Sequence, residues 1–125
     1  MPVRIVTDSA ADIPSSIIQK LGITVVPAYV NFGIKSYRDG VDISCDEFYD
    51  RLINGPVYPY TAQATPADFA LAYQSLAKET DDIISIHMSD KFSGTFSSAQ
   101  RGKSHQQLRV ISPWSIQGQS LWHWV

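Results

Sequence analysis

Two hydrophobic periods alternate along the chain. Residues 3–7 form a short apolar run closed by Asp8-Ser9, the pattern of a strand with a polar turn at its carboxyl end. Pro14 then suits a first helical position, Ile17, Ile18 and Leu21 share a face, and Gly22 is placed to end that helix. A second strand is predicted over residues 23–26, and the alternation from Tyr29 to Phe32 continues extended to Gly33, while Tyr37-Arg38-Asp39-Gly40 marks a turn. Ser44 and Glu47 have the spacing of a capping box, and Phe48 and Leu52 follow four apart, predicting a helix from Ser44 to about Ile53. Gly55 and Pro56 stop it, and residues 57–60 lead into Thr61-Ala62-Gln63-Ala64. Thr65-Pro66-Ala67-Asp68 supplies a cap, a proline at the first position and an acid in the first turn of a helix running to about Lys78, with Phe69, Tyr73 and Leu76 on one face.

Residues 82–88 read as a buried strand, followed at once by Ser93-Gly94-Thr95, two hydroxyls and a glycine where a helix would begin. A first helical turn presents free N–H groups and the positive end of the dipole, so this junction suits an anion. A last strand is expected over residues 108–111, before the break at Ser112-Pro113. Strands alternating with helices predict an α/β fold, a three-layer α/β/α lobe on a mostly parallel sheet, with ligands at the carboxyl ends of the strands.

Composition narrows the function classes. With 125 residues, 44% hydrophobic and 18% charged, the chain is ordinary material for one core. The formal net charge is −2, and the four cations beyond the last acid, Lys91, Arg101, Lys103 and Arg109, are dispersed, which is no nucleic-acid patch. One cysteine, Cys45, excludes an internal disulfide and a cysteine-cluster metal site. No run approaches the roughly 18 apolar residues of a membrane span, and the start lacks a signal-peptide core, so a cytoplasmic location is expected. From Arg101 onward acid and alanine vanish and all three tryptophans, Trp114, Trp122 and Trp124, crowd together, so residues 101–125 are expected to be an atypical, truncated or frame-disrupted tail on a domain of residues 1–100.

Catalysis finds little support in the residue pattern. Asp8 ends the first strand as a phosphatase nucleophile would, but Ala10 stands where a second aspartate is needed, leaving Asp8 to bond nearby backbone N–H groups. Ser93 with His87 as base lacks a nucleophile-elbow glycine pattern and an evident orienting acid. His105 and His123 show no metal spacing, and no phosphate or dinucleotide fingerprint exists, so no metal, cofactor or catalytic residue is expected. By chemistry alone, Ser93 fits a helix cap as well as a ligand donor.

Four ordered blocks carry a resemblance over residues 3 to about 100: Ile5-Val6-Thr7-Asp8-Ser9 with Asp12; Tyr37 to Ser44 followed by Glu47-Phe48-Tyr49; Thr61-x-Gln63 with Thr65-Pro66; and Phe92-Ser93-Gly94-Thr95-Phe96 with Ser98-Ala99. On these the chain resembles the amino-terminal half of the DegV family, fatty-acid-binding proteins that include the lipid-presenting subunit of bacterial fatty acid kinase. The resemblance implies that Thr61 and Ser93 hold a long-chain fatty acid by its carboxylate, and that the protein is a carrier, not an enzyme, presenting it to a kinase partner. A buried carboxylate needs charge-assisted donors, whereas the acyl chain needs only a dry apolar tunnel. Ala62 and Ala64 depart from the serine and proline common in the family, and Ser112-Pro113 stands where an aspartate usually follows the strand. The rival readings are a small serine-dependent acyl- or phosphoryl-transfer enzyme, and a lobe whose site was lost with the rest of the chain.

Overall fold

A computed structural model describes residues 3–88, 91–103 and 108–112. In chain order its elements are β1 (Arg4–Asp8), α1 (Ser15–Leu21), β2 (Thr24–Val26), β3 (Tyr29–Phe32), β4 (Lys35–Arg38), α2 (Cys45–Asn54), β5 (Tyr60–Ala62), α3 (Pro66–Ala77), β6 (Ile83–Ile86), α4 (Thr95–Arg101) and β7 (Leu108–Ile111). The apolar runs become a parallel sheet in the order β2-β1-β6-β7. From β1 the chain steps one way through α1 to β2, and from β6 the other way through α4 to β7. Right-handed crossovers therefore set α1 and α4 on opposite faces. The order reverses between β1 and β6, where open α/β sheets leave a crevice at the strands' carboxyl ends.

The two faces are covered unequally. On one, α3 and α4 pack on each other and on the sheet, enclosing Val6, Val26, Phe69, Tyr73, Leu76, Ile83, Ala99 and Leu108. Each large side chain so buried contributes about 1.5–3 kcal/mol. The close approach of α3 and α4 uses Gly102: a Cβ there would lie 2.6 Å from the Pro66 carbonyl oxygen and 2.9 Å from Phe69 Cβ. On the opposite face α1 buries no residue, and Leu21 stays 65% exposed. Both outer layers exist, but the second is thin.

Beside the parallel sheet stands an antiparallel one, β4-β3-β5, which the sequence pattern did not show. The turn expected at 37–40 lies further on. Lys35–Arg38 pairs with β3 across Gly33 and Ile34, matching Val30 to Tyr37 and Phe32 to Lys35. Its short polar sequence has little apolar alternation to reveal it, and its packing rests on Tyr37, edge-on to Phe32 at 6.1 Å. Likewise β5 is Tyr60–Ala62, so Thr61 occupies an edge strand opposite Val30, not a loop.

The capping signals resolve differently. Ser44 Oγ accepts from the Glu47 N–H at 3.1 Å, but the Glu47 carboxylate accepts from Arg51 at 2.6 Å, so the expected box is half made. At α3 the box is complete: Thr65 Oγ1 accepts from the Asp68 N–H, and the Asp68 carboxylate accepts from the Thr65 N–H at 2.9 Å. The same carboxylate oxygen accepts from the Tyr29 hydroxyl at 2.9 Å, tying α3 to the second sheet. Burial pushes the Asp68 carboxyl up, but the bonds from Thr65 and Tyr29 outweigh it and hold it below the usual range. A carboxyl depressed in the folded state adds stability that is present above its unfolded value, about pH 4, and lost as pH falls through the lower folded value. Urea midpoints between pH 5 and pH 3 should therefore fall more steeply for the native protein than for Asp68→Asn; parallel slopes would refute this.

The division expected between residues 100 and 101 falls in the last turn of α4. His105, His123 and the three tryptophans lie outside the described residues.

Candidate functional site

Thr61 lies in the antiparallel sheet and Ser93 in the turn that follows the parallel sheet's β6, and the chain between them contributes α3 and β6. Thr61 is exposed on the edge strand β5, and Ser93 is half-buried ahead of α4. The helix starts at Thr95, after Gly94 in a right-handed helical conformation with no side-chain cap, so Ser93 is not a helix cap in the strict sense. Its Oγ accepts instead from the Thr95 N–H at 3.2 Å and lies 2.9 Å from Thr95 Oγ1. When the Thr95 hydroxyl donates, both Ser93 lone pairs are taken and the Ser93 proton remains to be given to an acceptor. The segments that carry the two hydroxyls meet through their neighbours. The Gln63 side-chain amide lies over Gly94, where a Cβ would come within 2.6 Å of Nε2 and 2.8 Å of Cδ. Gln63 Nε2 also donates to Ser98 Oγ at 3.5 Å, a long bond across the first turn of α4.

A second polar group was not foreseen. At the switch point, Asp8 ends β1 and His87 follows β6, and their side chains join: Asp8 Oδ2 lies 2.6 Å from His87 Nδ1, with the imidazole fully buried and the carboxyl 7% exposed. Ser85 Oγ lies 2.5 Å from His87 Nε2, and the Tyr73 hydroxyl donates to Ser85 Oγ at 2.7 Å. A carboxylate only accepts, so Nδ1 carries the proton; when Nε2 accepts from Ser85, the bonds run in one sense from Tyr73 through Ser85 and His87 to Asp8. Burial, partly offset by the Ser85 bond, pushes the Tyr73 phenol up to about 12, which keeps its proton in place. Phe69 closes the group with its ring 5.0 Å from the imidazole, nearly perpendicular. The other Asp8 oxygen accepts from the Ala10 N–H at 2.9 Å, the local role expected of it.

This group bears directly on the enzyme reading. Both His87 nitrogens are engaged by Asp8 and Ser85, which removes His87 as a base for Ser93. Asp8, His87 and Ser85 have the residue types of a hydrolytic triad, and Asp8 is the orienting acid that the sequence did not reveal. Ser85, however, is 0% exposed and faces Tyr73, so no substrate reaches it. The parallel register pairs Val6 with Ser85, and two residues on, that register places Asp8 beside His87. The signal existed, but only for a reader who knew that β1 and β6 are neighbours.

A cleft of about 590 Å³ opens on the other side of β1, lined by Asp8, Asp12, Ile18, Val25, Asp39 and Cys45 among others; neither Thr61 nor Ser93 lines it. Its three carboxylates make it a poor seat for an anion. Among the described residues no group of three or more His, Cys, Asp or Glu could hold a metal ion, and no helix is long and apolar enough to cross a membrane.

The profile of the family described as "uncharacterised protein, DegV family" matches residues 2–112, nearly the whole described chain. The chain belongs to the DegV family. A DegV domain-containing protein of Caldanaerobacter subterraneus is 47% identical over 97 residues, covering 78% of this chain and 34% of its own length. One from Clostridium perfringens is 40% identical over 102 residues, covering 82% and 37%. The chain therefore spans a little over a third of the curated DegV relatives it matches. Among solved structures, a DegV family protein from Thermus thermophilus described for fatty acid binding is 36% identical with a TM-score of 0.78, over 90% of this chain and 41% of its own. A stearic-acid-binding protein from Eubacterium ventriosum is 31% identical with a TM-score of 0.81, over 88% and 41%. The α/β architecture with its parallel four-stranded sheet is thus the DegV one.

Proposed function

We propose that this chain is the lipid-binding lobe of a carrier that holds a long-chain fatty acid by its carboxylate at Thr61 and Ser93 and performs no chemistry on it. The observation that carries the reading is the approach of two hydroxyl-bearing segments, the edge strand β5 and the turn ahead of α4, brought together where Gln63 lies over Gly94. Fatty acid binding by DegV proteins of comparable fold supports it. Hydroxyl donors satisfy a carboxylate without a tight ion pair, so the ligand can be passed on. Its recipient in this reading is an ATP-dependent kinase partner that phosphorylates the presented carboxylate. The engagement of His87 by Asp8 and Ser85 weighs against the serine-enzyme alternative.

The test is affinity and turnover on the same samples. Ser93→Ala or Thr61→Ala should each remove a hydrogen bond to a charged group, about 1.5–3 kcal/mol, hence roughly ten- to a hundred-fold in fatty acid affinity. Because both donors serve one carboxylate, the double variant should deviate from additivity. Unchanged affinity with loss of ester hydrolysis in Ser93→Ala would establish the enzyme instead.

A further inference from the structure

We infer that Gln63 is a positioning residue for the fatty acid carboxylate: seated on the bare Cα of Gly94, it sets the distance between Thr61 and Ser93. The inference rests on the carboxylate-binding reading and adds to it the part that aligns the two donors. Thr61 lies on β5, an edge strand held by β3 alone, whereas Ser93 belongs to the junction between β6 and α4. Pairing within the parallel sheet therefore does nothing to fix one hydroxyl relative to the other. The Gln63–Gly94 contact does, since Thr61 is two residues from it on one side and Ser93 one residue from it on the other.

The contact depends on a missing atom. Any side chain at 94 would overlap the Gln63 amide group, both its nitrogen and its Cδ, while Gly94 itself has φ −72° and ψ −4°, a conformation open to every residue. The backbone makes no demand for glycine here; its bare Cα is what lets the Gln63 amide lie where it does, and an added Cβ would push that side chain aside. The amide is further held across the first turn of α4 by its bond to Ser98 Oγ, and the Ser98 N–H in turn donates to the Gly94 carbonyl at 3.0 Å. A glutamine does this where an apolar residue would not, because its nitrogen finds a hydroxyl on the helix it crosses while its stem stays in the exposed segment after β5.

A double-mutant cycle on the full protein decides it, with oleate as the probe in isothermal titration and melting temperatures as the control for folding. Gly94→Ala should bind oleate about tenfold more weakly, the loss of one well-aligned hydrogen bond to a charged group, with an unchanged or raised melting temperature. Gln63→Ala should also lose about tenfold. The double variant should lose no more than Gln63→Ala alone, because the added methyl then has nothing to displace. If Gly94→Ala weakens binding equally with alanine at 63, the methyl acts on the ligand directly and the inference falls; it falls too if Gly94→Ala binds like the native protein. Thr61→Ala and Ser93→Ala measured beside the cycle separate the two levels. Insensitivity of both brings down the carboxylate reading and this inference with it, whereas their sensitivity with an additive cycle brings down the inference alone.

Discussion

Replacing Phe69 by alanine should cost about 3–5 kcal/mol, a large share of the roughly 5–15 kcal/mol that holds a domain together. Phe69 is fully buried, lies tilted against Tyr73 with ring centroids 6.0 Å apart, and meets the His87 ring nearly perpendicularly at 5.0 Å. Its loss opens a cavity beneath both α3 and the Asp8–His87 group. The fixed strand below and Gly102 pressed against Phe69 Cβ leave the site little freedom to collapse. Phe69→Leu, which keeps most of the volume, should recover more than half of the loss. Urea denaturation followed by circular dichroism measures both; a loss below about 1.5 kcal/mol for the alanine variant would show that α3 does not depend on this contact.

Asp8→Ala should destabilise the fold by about 3 kcal/mol, through two losses that add. The buried His87 Nδ1–H is left without its acceptor, and the Ala10 N–H loses its side-chain partner. Water has poor access to repair the first, because the imidazole is wholly buried. The sense of the hydrogen-bond chain loses its anchor at the same time, so Tyr73→Phe should cost less in the Asp8→Ala background than in the native protein. Equal costs in the two backgrounds would show that the links act independently. Asp8→Asn keeps the shape and one acceptor and should lie between the native protein and the alanine variant.

Residue patterns announced most of the elements that positions along one segment can specify. The apolar runs that became β1, β2, β6 and β7, the helix that Pro14 and Gly22 bracket, and the Thr65 cap of α3 depend on local propensity and on hydrogen bonds between near neighbours, so they are written in consecutive residues. Elements whose stability is cross-strand were harder to read. β4 is short and polar, and only its pairing with β3 makes it a strand; Thr61, read as a loop residue, becomes an edge-strand residue for the same reason.

The candidate site was partly legible. Ser93 stands out locally as the first hydroxyl of Ser93-Gly94-Thr95 at a strand-to-helix junction, whereas Thr61 enters only through the resemblance to the DegV family. Their approach to one another through Gln63 and Gly94 is not local, and neither is the pairing of Asp8 with His87, residues 79 apart. Both depend on which strands and helices become neighbours. Strand order is decided by how the crossovers bury one apolar face against α3 and α4, a free energy summed over the whole core and recorded in no single segment. The sequence by itself determined most of the elements and the chemical types at their ends; the tertiary structure decided which ends meet, sealing His87 and Ser85 in the core while leaving Thr61 at the surface and Ser93 half-covered.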